Sequence, residues 1–100
     1  MNFVHGDAVV TDDVGLHARP SVKLTQAARV FAARIDVSSA PGGPWSDAKS
    51  IVQVMATRLK KDGRIYFRAS GSDAGDAVTE LVALVKRNFD LKPEPADAGP

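Results

Sequence analysis

Cysteine is absent from this chain of 100 residues. Without a thiol the protein can form no disulfide bond, no thiolate nucleophile and no cysteine-built zinc site, and this composition suits a reducing cytoplasm. Histidine is scarce too, because only His5 and His17 are present. Two imidazoles are too few for a histidine-rich metal site, so the sequence predicts no bound metal.

The chain also lacks a large excess of one charge and a long apolar run. The 13 lysines and arginines nearly balance the 12 acidic residues and leave a net charge of +1, which gives no strong attraction to nucleic acid or to a membrane. No segment approaches the roughly 20 apolar residues that span a bilayer, and residues 1–7 do not resemble a signal peptide. With 44% hydrophobic residues, the chain is expected to fold as one cytoplasmic domain.

Alternation of polar and apolar residues predicts strands. The pattern appears in residues 2–10, 34–38 and 64–69, and the apolar residues of each segment are expected to face the core. Residues 40–44 consist of alanine, proline and glycine, which are typical of a turn. A very short strand is expected beside this turn.

Two helices are predicted before the last strand. The first is expected to begin around Pro20, since proline suits the first turn of a helix, and Leu24 follows at the helical spacing of a buried stripe. Ser50 and Gln53 match a capping box, in which a hydroxyl caps the helix and an amide follows three residues later. They predict a second helix that ends at about Leu59.

The last helix has the strongest amphipathic pattern. Asp73 is expected to cap it, and Lys86 and Arg87 lie at its negative end. Its apolar stripe consists of Ala74, Ala77, Val78, Leu81, Leu84 and Val85.

This order of elements indicates an α+β domain in two layers, with helices covering one face of a single sheet. The pattern leaves the order of the strands open. Residues 1–89 are expected to form the domain. Residues 90–100, which are rich in proline, are expected to form a disordered tail.

The segment from Gly15 to Pro20 places an imidazole, His17, just before the expected helix start. Main-chain N–H groups in the first turn of a helix have no internal partners, so they favour an anion and disfavour an imidazolium. The ring of His17 is therefore expected to be neutral and nucleophilic near pH 7. Arg19 offers paired donors that match phosphoryl oxygens. These parts suit phosphoryl transfer, which depends on positioning and charge stabilisation.

Two separated motifs resemble those of the HPr family, the histidine-containing phosphocarriers of the bacterial phosphotransferase system. Gly15–Pro20, with the sequence GLHARP, resembles the active-site signature, and Ala48–Ile51 resembles the second signature. Phe31, the turn at residues 69–71 and the chain length are also similar. The resemblance covers residues 1–89. It implies an open-faced β-sandwich, a four-stranded antiparallel sheet with three helices on one face in the order βαββαβα.

The resemblance also implies a function and partners. His17 would accept a phosphoryl group on Nδ1 from enzyme I and pass it to an enzyme IIA domain in sugar uptake, while Arg19 stabilises the phosphoryl group. Such a protein is a carrier rather than an enzyme and needs no cofactor. We expect a monomer that binds neither nucleic acid nor a membrane, because a carrier docks two partners in turn through one small face.

Further residues receive roles through the same resemblance. Ser50 matches a serine that an ATP-dependent HPr kinase phosphorylates in many relatives, although its role as a helix cap explains it equally well. The expected partner surface combines basic and apolar residues, with Ile51 and Met55 as its exposed apolar pair; its members are Arg19, Lys49, Ile51, Met55 and Arg58. Trp45 is unusual and is interpreted as either a surface anchor or a core filler. His5 is expected on a strand surface.

Other functions stay open at this point. A paralogue in the nitrogen-related or dihydroxyacetone-kinase branch would use the same chemistry with different acceptors. A regulatory module acting through Ser50 would resemble the catabolite-repression homologue of HPr, but that homologue lacks the active histidine. An unrelated RNA-binding domain would need exposed aromatic residues on its sheet, for which Tyr66 is thin support.

Overall fold

Alternating and amphipathic segments of the sequence become strands and helices in the computed structural model, which describes residues 2–10, 18–57 and 63–90. Within these ranges the order is βαββαβα, as predicted, followed by a single 3₁₀ turn at Asn88–Asp90. The strands are β1 (Val4–Val9), β2 (Arg34–Ser38), β3 (Ser46–Asp47) and β4 (Arg64–Ser70); the helices are α1 (Ala18–Arg29), α2 (Ile51–Ala56) and α3 (Ala74–Lys86).

The described strands form one antiparallel sheet in the order β1-β4-β2-β3. The last strand in the sequence is therefore central, with Phe67 paired to Gly6 of β1 on one side and to Val37 of β2 on the other. The short strand expected near residues 40–44 is β3, which pairs with β2 through Asp36 and Asp47. The open-faced sandwich with its helices on one face is confirmed.

One face of the sheet, which we call the inner face, packs against the helices. Its apolar side chains are buried as the alternation predicted: Ala8, Ile35, Val37, Ile65, Phe67 and Ala69. The predicted stripe of α3 lies in the same core. Each fully buried leucine, isoleucine or phenylalanine side chain contributes about 1.5–3 kcal/mol, so this interface is the main source of stability.

Helix α1 begins at Ala18, two residues earlier than the predicted start at Pro20. Pro20 occupies the third helical position, where the missing N–H removes no hydrogen bond, since the first four N–H groups of a helix have no internal partner. Leu24 is fully buried, as its spacing predicted, and Ala28, four residues later on the same side of the helix, is fully buried as well. Phe31 lies beyond the helix end and is half-buried against the core.

Gly6 allows α3 to approach β1 closely. A Cβ atom at this position would lie 2.5 Å from Cγ1 of Val78 and 3.0 Å from Cγ2 of Val82. A residue without a side chain is therefore needed at position 6, because α3 packs directly over β1 there.

Asp73 precedes α3, but within the described chain its side chain does not cap this helix. Its carboxylate instead accepts hydrogen bonds from the main-chain N–H groups of Ala32 and Ala33, at 2.9 and 2.8 Å. The hydrogen bond from Ala32 is the largest of the effects that lower the pKa of Asp73 below its ordinary value of 3.8. Asp73 therefore occupies the predicted cap position of α3, but its side chain does not cap the helix, because the N–H groups of the turn after α1 lie close to the carboxylate and bind it.

At the other end of α3, Arg87 joins two acidic residues. Its guanidinium donates to Glu80 and Asp90, at 2.9 Å in each case. The hydrogen bond from Arg87 is the main reason that the pKa of Asp90 lies below its ordinary value.

In the described ranges, no helix combines the length and apolar character needed to cross a membrane.

Candidate functional site

The site predicted from the sequence lies at the start of α1. Ala18, the residue after His17, is the first residue of this helix. Residues 18–21 contain no acidic side chain, so nothing in the first turn opposes an incoming anion. His17 itself lies outside the described residues.

The first turn of α1 is anchored on one side and exposed on the other. Pro20 and Ser21 are buried, and the hydroxyl of Thr25 donates to the carbonyl oxygen of Ser21 at 2.8 Å. Arg19 is exposed. The turn is therefore held against the core, while the arginine expected to contact phosphate lies at the surface.

Two hydrogen bonds connect the end of α1 with the turn before α2. Arg29 Nε donates to the carbonyl oxygen of Lys49 at 3.1 Å, and Lys49 Nζ donates to the carbonyl oxygen of Phe31 at 2.7 Å. We call this pair the helix strap. Lys49, expected to contact partners, is half-buried and uses its ammonium group to fix one helix relative to the other.

Ser50 occupies the cap position of α2, as predicted. Its hydroxyl oxygen accepts from the N–H of Gln53 at 3.4 Å. The amide oxygen of Gln53 accepts from the N–H of Asp47 at 2.9 Å, rather than from Ser50. The capping box is therefore only half formed, because the β3 edge supplies the second donor.

The exposed apolar pair on α2 differs from the prediction. Val52 and Met55 are 74% and 42% exposed, whereas Ile51 is half-buried. Ile51 lies three residues before the fully buried Val54 and so shares its side of the helix. Helix α2 ends at Ala56, before the predicted end at Leu59; Leu59 and Arg58 both lie outside the described residues.

The face of the sheet away from the helices, which we call the outer face, carries a stack of side chains. The guanidinium of Arg68 lies 4.5 Å from the ring centroid of Phe3 and 4.5 Å from that of Trp45. Its Nε donates to Asp36 Oδ2 at 2.9 Å. Asp36 is only 4% exposed, so the guanidinium neutralises a buried carboxylate while two rings cover it.

The stack accounts for the positions of Trp45 and His5. Trp45 is half-buried over the outer face, so it is neither a core residue nor a freely projecting anchor. His5 is exposed on β1, as predicted, with edge contacts to Phe3 and Trp45 at centroid distances of 6.3 and 6.5 Å. Alternation in the sequence put Asp36 and Arg68 on the polar side of their strands, but their contact depends on the strand order.

In the part of the chain that the structure describes, no three histidine, cysteine, aspartate or glutamate residues are grouped so that they could hold a metal ion.

Comparison with known proteins identifies a phosphocarrier family. A family model described as PTS HPr component phosphorylation site matches residues 4–87. Phosphocarrier protein HPr of Cupriavidus necator is 35% identical over 83 residues, which are 83% of this chain and 91% of the relative. Phosphocarrier protein HPr of Mycoplasma genitalium is 32% identical over 81 residues, which are 81% of this chain and 91% of the relative.

The fold agrees with this family. The crystal structure of HPr-C-His from Thermoanaerobacter tengcongensis matches with a TM-score of 0.77 and 28% identity, and the match covers 93% of this chain and 100% of that one.

Proposed function

The chain belongs to the PTS HPr component family, whose model matches residues 4–87, and we propose that it carries a phosphoryl group on His17. The donor is phospho-enzyme I, and the acceptor is an enzyme IIA domain in sugar uptake. The exchange takes place in the cytoplasm. The observation that carries this proposal is that α1 begins at Ala18, directly after His17, the histidine of the GLHARP segment.

The helix start favours both the nucleophile and the phosphorylated product. Ala18 is the first residue of α1, and the main-chain N–H groups at the start of a helix have no partner within the helix. A phosphoryl group beside such a turn is stabilised, and a positive charge there is disfavoured. His17 is therefore neutral before transfer, with a lone pair available on its ring.

The transfer conserves the phosphoryl group. The Nδ1 lone pair of His17 attacks phosphorus as the bond between phosphorus and enzyme I breaks, and the departing group keeps that bonding pair. In the second half of the cycle, a nucleophile of the enzyme IIA domain attacks the same phosphorus. The Nδ1–P bond then breaks, and the ring regains its lone pair.

Arg19 is the residue that stabilises the charge during transfer. Its exposed position on the first turn of α1 allows it to approach a phosphoryl group at the helix start. A guanidinium presents paired N–H donors to two oxygens and keeps its charge at all physiological pH values. Arg19 therefore favours the in-line arrangement that transfer requires.

The partner surface combines Arg19 with the exposed apolar residues of α2, Val52 and Met55. Apolar side chains this exposed stabilise a complex when a partner covers them. Lys49 contributes by holding α2 against α1 through the helix strap, and Arg58 adds positive charge to the partner surface. A small surface of this kind can bind enzyme I and an enzyme IIA domain in turn.

Ser50 is the proposed site of regulation by an HPr kinase. The hydroxyl makes a single long capping hydrogen bond and is half-buried, so a phosphate replacing its proton would lie at the α2 start without disrupting the core. The added negative charge would then oppose the binding of an acidic enzyme I.

Labelling with phosphate tests the carrier function. The protein is incubated with enzyme I, phosphoenolpyruvate and Mg²⁺, and acid-labile, base-stable phosphate is measured. His17→Ala is expected to abolish labelling. His5→Ala is the matched control, because His5 is the other histidine and lies on β1. Labelling that persists in His17→Ala would rule out the proposed acceptor.

A further inference from the structure

A cleft of about 250 Å³ opens on the outer face of the sheet, beside the Phe3–Arg68–Trp45 stack. Its polar and aromatic lining includes His5, Asp7, Trp45 and Tyr66, and Pro41 lies at its edge on the loop before Trp45. Helix α1 covers the inner face instead, so the cleft plays no part in the proposed phosphoryl transfer.

The indole of Trp45 forms a fixed wall of this cleft. Arg68 stacks on the ring, and Asp36 holds Arg68 in place through the 2.9 Å hydrogen bond. The preceding loop fits closely, because a Cβ at Gly43 would lie 2.8 Å from Cδ1 of Trp45. Gly43 also has a φ of +91°, a conformation that glycine adopts without strain. The ring is therefore preorganised before any ligand binds.

Hydrogen-bonding groups surround this aromatic wall. Within the described ranges, the Tyr66 hydroxyl and the Trp45 indole N–H form no hydrogen bond with a protein group. His5 adds ring nitrogens, and Asp7 adds a carboxylate, one oxygen of which accepts from Arg64 at 2.7 Å. An apolar surface edged by a few polar groups is the usual composition of a small-molecule site.

The charged groups beside the cleft are already paired with one another. Asp7 accepts from Arg64, and Arg68 donates to Asp36, so neither an anion nor a cation would meet an uncompensated opposite charge. A cation would also compete for a ring whose electrons already attract Arg68. The fitting ligand is neutral, with C–H groups to lie on the indole and hydroxyl groups to reach the polar rim.

From this combination we propose that the outer-face cleft binds a neutral saccharide, of the size of one pyranose ring. C–H groups on one ring face contact the indole, and ring hydroxyl groups exchange hydrogen bonds with Tyr66 and Asp7. A dissociation constant of about 1–10 mM is expected for roughly a dozen non-hydrogen atoms at ordinary ligand efficiency.

Fluorescence of Trp45 measures binding directly, because the chain contains one tryptophan. The full chain is titrated at neutral pH with methyl β-D-glucopyranoside and methyl β-D-galactopyranoside. Glucose 6-phosphate, tetramethylammonium and uridine represent anionic, cationic and planar aromatic ligands. We expect at least one pyranoside to saturate the fluorescence change, with a dissociation constant at least five-fold lower than that of each of these three ligands. Tighter binding of any of the three would overturn the proposal.

Substitutions and NMR locate the binding. Tyr66→Phe keeps the ring and removes the hydroxyl, so the dissociation constant is expected to rise about five-fold, as for one lost hydrogen bond. Val30→Thr is the matched control, since Val30 is 78% exposed and lies after α1. In ¹H–¹⁵N spectra of the unmodified chain, shifts should cluster at His5, Asp7 and Tyr66. No saturation up to 100 mM, or shifts confined to the helices, would reject the site.

Discussion

Lys49 Nζ lies 2.7 Å from the carbonyl oxygen of Phe31 and so connects the start of α2 with the end of α1. A lysine that looks like a partner contact in the sequence is thus part of the helix strap, and its contribution to function depends on geometry as well as charge. The two helices connected in this way carry Arg19, Val52 and Met55, the residues proposed to meet partners.

Replacing Lys49 by Met should remove the ammonium hydrogen bond of the strap and keep an aliphatic chain, while Arg29 can still donate to the main-chain carbonyl of residue 49. We expect a loss of about 1 kcal/mol in the free energy of unfolding, as for one partly buried hydrogen bond, and slower phosphorylation by enzyme I. Urea unfolding and transfer kinetics measure the two effects. Lys86→Met, at the exposed end of α3, is the control and should change stability by less than about 0.5 kcal/mol. An unchanged stability in Lys49→Met would show that the hydrogen bond from Lys49 to Phe31 has no energetic role.

Arg19→Gln should slow phosphoryl transfer more than it weakens the fold. Losing a charge-assisted contact to the phosphoryl group is expected to cost about 1.4–2.8 kcal/mol, or 10- to 100-fold in kcat/KM for phosphorylation by enzyme I. Lys23→Gln removes the same charge from an exposed site on α1 and should cost less than three-fold. Equal effects of the two substitutions would mean that general charge, rather than a phosphoryl contact, is being measured.

The exposed pair on α2 should matter for binding. Val52→Ser combined with Met55→Ser is expected to raise KM for the carrier in the enzyme I reaction by about 5- to 30-fold, since truncated anchors commonly cost about 1–2 kcal/mol. Stability should change little because both side chains are already exposed. Val30→Ser alters a similarly exposed valine outside α2 and should leave KM unchanged; an equal rise there would remove the case for a specific surface.

Ser50 can be tested for both of its roles. Ser50→Ala should lower the free energy of unfolding by about 1 kcal/mol through the lost cap, and it should abolish acid-stable labelling by HPr kinase and ATP. Ser50→Asp retains a capping oxygen, so stability should recover while phosphorylation by enzyme I becomes slower. Kinase labelling that survives in Ser50→Ala would assign the regulatory phosphate to another residue.

Stability should fall in acid partly through Asp73. Hydrogen bonds from the turn after α1 lower the pKa of this carboxyl in the folded state below 3.8. The folded protein therefore binds fewer protons than the unfolded chain, so the stabilisation is complete above the unfolded pKa and disappears as pH falls through the folded pKa. Urea midpoints are measured from pH 7 to pH 2. Asp73→Asn should be less stable than the unmodified chain at neutral pH, and the difference in stability between the two should disappear in acid.

Asp76→Asn provides the control for this experiment. Asp76 lies in the first turn of α3 and is exposed, and none of the described hydrogen bonds joins it to residues 32 and 33. Its substitution should alter stability less than Asp73→Asn does. If both aspartates gave identical profiles, the helix dipole rather than the turn would account for the acid sensitivity.

Periodicity predicted the helices and strands well because the spacing of apolar residues close together in sequence determines which side chains face the core and which face solvent. The inner-face residues Ile65 and Phe67 and the buried stripe of α3 follow directly from alternation and helical spacing. The start of α1 and the partner of Asp73 were predicted wrongly because both depend on what lies nearby after folding. Proline permits several positions in a first turn, and an aspartate can accept hydrogen bonds from any close donor.

For the site, the GLHARP segment and the cap at Ser50 were visible in the sequence, while the helix strap and the outer-face stack were not. Lys49 and Phe31 are far apart along the chain, as are Arg68 and Asp36, so their contacts follow only from the packing of elements. His17 and Arg58 lie outside the described residues, and their roles stay predictions. The predicted boundary between the domain at residues 1–89 and the tail at 90–100 is likewise a prediction.

The central position of β4 has a consequence for synthesis on the ribosome. Val4 of β1 lies opposite Ala69 of β4, so within the described sheet β1 has no neighbouring strand until β4 has been synthesised. Contacts this distant in sequence form slowly because a long loop must close first. Strand β1 therefore stays unpaired until β4 follows, and a stop before residue 64 would yield a nascent chain that lacks the central strand of the sheet.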